Sequence, residues 1–393
     1  MKSIELFSGA GGASLGLARA GIEALIHVEW DKDACATATA AGHKHVHCGD
    51  VNDLAPVVAV ALDPCVERLL LWSSFPCQAW SQAGLRKGAK DSRNGWPATI
   101  DAIDITNPEW VVCENVRGLT MHRKKAKCGK GKDPNPKDCP ACYLEHVILA
   151  DLRVRYPYVG TRVLNAADFG VPQTRQRLFI VAGPRPITWP VPTHARDGRG
   201  AFMDEVLTRW RGCGEALGIK AGAVIGGGRN ASDGTRTHRD LSEGPSTTVA
   251  AQWGGGAGNA GPWIVGAGVT GESRPRTMDR PAATVSTKGT QYLMGAKPEL
   301  LDRPSACVSA TEVKGTNGKA DGRWTASGGP IRVSDTLWMA TGRRRLTVEE
   351  CAILQGFPDD YPWTGTKTSQ YRQVGNAVPP ILAEVIGRAI KEA

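Results

Sequence analysis

The stretch Glu5–Gly12, "ELFSGAGG", restricts this chain more than any other. A short apolar run, Ile4–Phe7, leads straight into a turn with three glycines among Ser8–Gly12, and a helical pattern follows over Ser14–Ala20. Glycine accepts backbone conformations closed to other residues and lets main chain approach a ligand, while the first N–H groups of the helix stay unpaired. Such a strand–turn–helix unit needs neighbours to bury its strand. Ala24–Trp30 reads as a second strand and Asp33–Ala41 as a second helix, and Leu69–Ser73, Trp110–Cys113 and Leu178–Ala182 read as further buried strands. Strands alternating with helices at this spacing predict a parallel, doubly wound α/β sheet.

Two acids stand where such a sheet binds ligands. Glu29 ends the second strand, where a Rossmann-like fold sets an acid against ribose hydroxyls, and "GDV" (49–51) puts Asp50 at the end of a third. A glycine turn alone also serves plain packing; the two acids favour a nucleoside. The turn is G-x-G-G rather than G-x-G-x-x-G, which disfavours a dinucleotide and points to a cofactor without pyrophosphate, such as S-adenosylmethionine.

"SSFPCQAWS" (73–81) places Cys77 just past a strand end. A cysteine there is either a small core residue or a reactive thiol. In "ENV" (114–116), Glu114 ends the strand that begins at Trp110, so an acid shares the thiol's edge of the sheet. "QTRQR" (173–177) sets Arg175 and Arg177 at alternate positions, facing one side of an extended chain.

The remainder bounds the setting. The chain has 393 residues, a formal net charge of +9 and eleven cysteines. No secretory leader and no membrane-spanning apolar stretch is evident, so reduced intracellular thiols are expected. Residues 121–138 hold seven Lys or Arg and two Asp, a net +5, with Cys128 inside and Cys139 and Cys142 just after. A basic surface loop suits a polyanion, and the three cysteines, with His122 or His146 as a fourth ligand, form a candidate structural zinc site. From 186 to 342 the chain is rich in Gly, Thr, Ser and Arg, with the irregular echoes "GPSTTV", "RPAATV" and "RPSACV". This predicts a second, smaller β-rich domain between a first domain (1–185) and a C-terminal return segment (343–393). Thr347–Glu350 has the form of a helix capping box.

"FSGAGG", "PCQ", "ENV", "QTRQR", "RRLTVEECAILQGFP" (344–358) and "QVGNAVPP" (373–380) occur in the order typical of DNA cytosine-5 methyltransferases. The sequence resembles that family over residues 1–185 and 343–393, and 186–342 sits where the family places its target-recognition domain. The resemblance implies a flipped-out cytosine in duplex DNA and S-adenosylmethionine as donor, with S-adenosylhomocysteine as product. Cys77 would be the nucleophile. Glu114 would bond ring nitrogen 3 and the exocyclic amine, Arg177 the carbonyl at carbon 2, and Arg175 would order the others. Around the cofactor the resemblance places Phe7, Gly9, Gly11, Gly12, Glu29, Trp30, Asp50, Val51, Pro76, Asn376 and Ala377. It places Gln78, Ser81, Gln82, Arg86, Lys87 and Arg93 against DNA. A monomer in a bacterial cytoplasm, host- or phage-encoded, is expected. Glu5, where Asp is commoner, and the Cys-bearing insert depart from the pattern. A DNA-binding relative without catalysis, a tRNA methylase and an NAD-dependent oxidoreductase are the competing readings.

Overall fold

The computed structural model describes residues 1–53, 55–61, 68–76, 94–122, 139–200, 206–217, 224–229, 236–238, 282–283, 292–294 and 343–393. Its centre is one seven-stranded sheet. The strands are Lys2–Leu6 (β1), Glu23–Glu29 (β2), Val46–Cys48 (β3), Leu69–Ser73 (β4), Trp110–Val116 (β5), Tyr158–Asn165 (β6) and, after a two-residue strand Gln173–Thr174 (β7), Gln176–Gly183 (β8). Their spatial order is β3-β2-β1-β4-β5-β8-β6.

Both faces of the sheet are covered, which is why β4 reads as an unbroken apolar run. Alternate side chains of β4 feed opposite layers. Leu69 and Leu71 join Ile4, Leu6, Phe75, Trp96, Ile103 and Ile148 on one face. Leu70 and Trp72 join Leu17, Ile22, Trp110, Leu382, Ile386 and Ile390 on the other. The terminal helix Pro380–Glu392 packs against the first helix, Gly12–Arg19, with Gly16 lying under the Pro380 carbonyl and Gly387 against Leu17 and Ala20. Leu382, Ile386 and Ile390 are each 0 % exposed. Burying three such side chains contributes roughly 5–9 kcal/mol, on the scale of a domain's whole net stability. The chain's last helix is therefore part of the core.

The expectation of an all-parallel sheet is corrected. β1–β2, β2–β3, β1–β4 and β4–β5 are parallel, but β8 runs antiparallel to both β5 and β6. The link from β6 to β8 spans residues 166–175 and carries only a short 3-10 turn, Ala166–Phe169, and β7. A parallel return needs a crossover of a dozen or more residues; this link is too short and brings the chain back antiparallel.

Glu114 is also repositioned. β5 does not stop there but runs on to Val116, because β8 continues to pair with it through Val116 and Arg177. Pairing with β4 ends at Ser73 and Cys113, so Glu114 is the first β5 residue beyond that neighbour.

Of residues 186–342, only short pieces are described. His194–Ala195 (β9) pairs with Thr208–Arg209 (β10). Val224–Arg229 (β11), Arg236–His238 (β12), Tyr292–Met294 (β14) and Arg343–Arg345 (β15) form an antiparallel sheet, and Ala282–Ala283 (β13) pairs with β7. The predicted capping box is present: Thr347 Oγ1 accepts from the Glu350 N–H at 3.1 Å, and the Thr347 N–H donates to Glu350 Oε2 at 2.8 Å. A helix over Lys367–Asn376, carrying the start of the "QVGNAVPP" motif, was not expected from the sequence.

Candidate active site

The carboxyl ends of β3, β2, β1, β4 and β5 lie along one edge, and the chain reverses its direction of travel across the sheet between β1 and β4. Ligands bind at such switch points. Because β8 is antiparallel, its first residues join this edge as well, which is what brings Arg177 to Glu114.

The turn after β1 is held open. Phe7 has φ 56° and Gly9 φ 57°, a left-handed conformation that is costly for phenylalanine and clusters at functional sites. A side chain at Gly9 would point into open space. One at Gly12 would collide with the Val378 carbonyl oxygen of the return segment, so Gly12 is required for that close approach. Glu29 closes the turn from β2. Its Oε2 accepts from the Gly9 N–H at 2.8 Å, and its Oε1 accepts from the N–H groups of Trp30 and Asp31 at 2.9 and 2.8 Å. Burial pushes the Glu29 carboxyl above the usual range, against these three donors. Ser8 Oγ is buried and has no hydrogen-bond partner among the described residues.

These features fit an adenosine-type cofactor: an acid at the second strand end, an open glycine and an orphaned hydroxyl in one turn. Around them, Trp30 is 75 % exposed at the rim. Asp50 is exposed, and its Oδ1 accepts from Asn52 N–H and Nδ2. Val51 packs partly on the core, Pro76 is half-buried and Gly11 adjoins His43. Gly95 was not singled out from the sequence. A side chain there would strike Phe7, Phe75 and Pro76, so it lets the turn and the residues before Cys77 meet. Trp96, the next residue, lies in the core, edge-on to Phe75, its Nε1 donating to Asp151 at 2.8 Å.

The other half of the edge is charged and buried. Arg177 Nε lies 2.9 Å from Glu114 Oε1, and both residues are 8 % exposed. Glu114 faces Phe179 across the strands, so Arg177 is its diagonal same-face neighbour. Burial pushes the Glu114 carboxyl up, opposed by Arg177 and Arg175. Arg175, 1 % exposed, turns to the chain end: its Nη2 donates to the carbonyls of Gly375 at 3.1 Å and Ala377 at 2.8 Å. Gln355 Nε2 also donates to the Ala377 carbonyl, at 2.7 Å. Ala377 is thereby buried at the site while Asn376 stays exposed. Asn115, quoted within "ENV" but given no role, donates from Nδ2 to the Phe75 carbonyl at 3.2 Å, tying β5 to the chain two residues before Cys77. Cys77, Gln78, Ser81, Gln82, Arg86, Lys87, Arg93 and Cys128 lie outside the described residues.

Glu5, the departure from the common motif, is fully buried and accepts from Ser14 Oγ at 2.6 Å beside His27. It anchors the first helix under the glycine turn. Among the described residues, His122, Cys139 and Cys142 come together. His146, the alternative histidine, is exposed on the following helical segment and is not part of that group.

Known proteins resemble this chain along its length. Type II methyltransferase M.AplI of Arthrospira platensis is 29% identical over 388 residues, covering 99% of this chain and 85% of the relative. Type II methyltransferase M.NaeI of Lentzea aerocolonigenes is 30% identical over 403 residues, covering 100% and 75%. Among solved structures, the Entamoeba histolytica methyltransferase EhMeth superposes with a TM-score of 0.54 at 13% identity, covering 100% of this chain and 98% of that one. S. pombe Dnmt2 methyltransferase does so at 0.53 and 14%, with the same coverage. These two likenesses concern the fold. No described helix is long and apolar enough to cross a membrane. Residues 1–196 and 273–392 match the family described as C-5 cytosine-specific DNA methylase, and with a match of that extent the chain belongs to this family of S-adenosylmethionine-dependent DNA methyltransferases.

Proposed function

We propose that the chain methylates carbon 5 of a cytosine extruded from duplex DNA, through a covalent bond to Cys77. The observation that carries this reading is the buried Glu114–Arg177 pair beside the Asn115 link to Phe75. It offers an acid on β5, the strand next to the one that leads into Cys77, and a guanidinium beside that acid on β8.

Carbon 5 of cytosine is a weak nucleophile. Addition of the Cys77 thiolate to carbon 6 converts the ring to an enamine whose carbon 5 is nucleophilic. Glu114, held towards its acid form by burial, donates a proton to ring nitrogen 3 as the thiolate adds. Arg177 hydrogen-bonds the oxygen on carbon 2, and Arg175 positions the return segment through Gly375 and Ala377. Bound S-adenosylmethionine supplies the electrophilic methyl group. Loss of the carbon-5 proton to solvent, expulsion of the thiolate and return of the nitrogen-3 proton to Glu114 restore the ring and the site. The target atom is inaccessible in a stacked duplex, so extrusion at a cost of a few kcal/mol precedes chemistry. Glu29 and Asp50 take the ribose and adenine ends of the cofactor, with Phe7, Trp30, Val51 and Pro76 around them. Gln78, Ser81, Gln82, Arg86, Lys87 and Arg93 contact phosphates, and residues 186–342 read the target sequence. A monomer in the bacterial cytoplasm, alongside a restriction enzyme as the relatives' type II names suggest, fits this role.

The test uses duplex DNA with 5-fluorocytosine at the target, S-adenosylmethionine and a denaturing gel. Fluorine cannot leave as a cation, so elimination fails and enzyme stays joined to DNA. Wild type should give a heat-resistant shifted band, and Cys77→Ser none. An equal band from Cys77→Ser, or transfer of labelled methyl to tRNA rather than DNA, would refute the proposal.

A further inference from the structure

We infer that His122, Cys139 and Cys142 are ligands of a structural zinc ion that ties off the basic insert after β5. The three residues arrive from two sides of the insert. β5 runs into a 3-10 turn, Arg117–Thr120, pinned by the fully buried Leu119, and His122 follows it. Sixteen residues later, 123–138, the chain returns at Cys139, which caps the helical turn Pro140–Tyr143 that carries Cys142. Cys139 and Cys142 are 0 % and 3 % exposed, whereas His122 is exposed.

The two sulfur–nitrogen distances are those of a tetrahedral zinc site. With Zn–S near 2.3 Å and Zn–N near 2.05 Å, two ligands of a tetrahedron lie about 3.6 Å apart for S···N and about 3.8 Å for S···S. His122 Nδ1 lies 3.5 Å from Cys139 Sγ and 3.8 Å from Cys142 Sγ, and all three donor atoms fall within 4.8 Å of one another. The Cys-x-x-Cys turn supplies a ligand knuckle of the usual spacing. Two thiolates and one imidazole are the nitrogen and sulfur donors that zinc takes.

The composition shows what a metal would supply here. Residues 123–138 contain seven Lys or Arg, two Pro, three Gly or Asn, and only Ala126 and Cys128 as apolar residues. Such a segment cannot bury a core of its own. Its base nevertheless touches the active-site edge. Tyr143, in the knuckle, has its hydroxyl hydrogen-bonded by Asn94 Nδ2 at 2.8 Å, and Arg117 Nη1 donates to Gln176 at 2.7 Å, next to Arg177. A zinc tie here holds the two flanks of a basic segment beside the strand ends that carry Glu114 and Arg177.

The experiment is elemental analysis of the full-length protein, purified without chelator. Wild type should carry about one zinc per chain. Cys142→Ser and His122→Ala should each lose most of it, while Cys48→Ser, remote from the group, should keep it. Wild type exchanged into cobalt(II) provides a second measurement that needs no ligand variant to fold: thiolate-to-cobalt charge-transfer bands with tetrahedral ligand-field intensity are expected. Zinc well below one per chain, undiminished zinc in soluble Cys142→Ser, or a cobalt spectrum without thiolate bands would each overturn the assignment. None of these readouts depends on methyl transfer, so the proposal stands or falls apart from the role of Cys77.

Discussion

Replacing Glu29 with glutamine tests the cofactor half of the site at a single atom. In the protein alone the carboxylate accepts three main-chain hydrogen bonds, one from Gly9 and two from Trp30 and Asp31. A glutamine can keep its oxygen on the Trp30 and Asp31 pair, but its amide then faces the Gly9 N–H, donor against donor. Ribose hydroxyls lose a charged acceptor in the same exchange. A hydrogen bond to a charged group is worth about 1.5–3 kcal/mol. That corresponds to roughly 10- to 150-fold weaker binding at 1.4 kcal/mol per decade. The charge also sets a pH dependence. Burial raises the Glu29 carboxyl, and ribose donors favour its ionised form. Wild-type affinity should therefore be full above the folded pKa of Glu29 and fall as pH drops through it, and Glu29→Gln should be weak and lack this dependence. Titration calorimetry with S-adenosylhomocysteine across acidic to neutral pH reads both effects. Equal dissociation constants, or the same pH profile in the variant, would show that Glu29 serves the turn alone and does not hold the ribose.

Glu114→Gln should lower the methyl-transfer rate by about 10²–10⁴, the usual scale for a positioned acid. Wild-type rates should lose their Glu114 contribution as pH rises through its elevated pKa; single-turnover rates against pH check both points. Gly12→Ala should destabilise the fold by about 1–3 kcal/mol through overpacking against Val378, read as a lowered denaturation midpoint.

The sequence by itself determined the strands β1, β2 and β4, the glycine turn and the acid at the end of β2, whereas the third strand stops at Cys48, two residues short of Asp50. The features it determined are local: apolar runs of five or so residues, a glycine-rich turn, and an acid at a strand end. It also specified the Thr347–Glu350 cap, whose two hydrogen bonds span three residues. Only the tertiary structure decided the antiparallel entry of β8, and with it the meeting of Arg177 and Glu114, because strand direction depends on how a short link closes between distant segments. It likewise turned Arg175 towards Gly375 and Ala377, some 200 residues away in sequence, and chose His122 over His146 as the neighbour of Cys139 and Cys142. Side chains that reach across the chain answer to packing and to the burial of charge, and no spacing along the sequence encodes those distances.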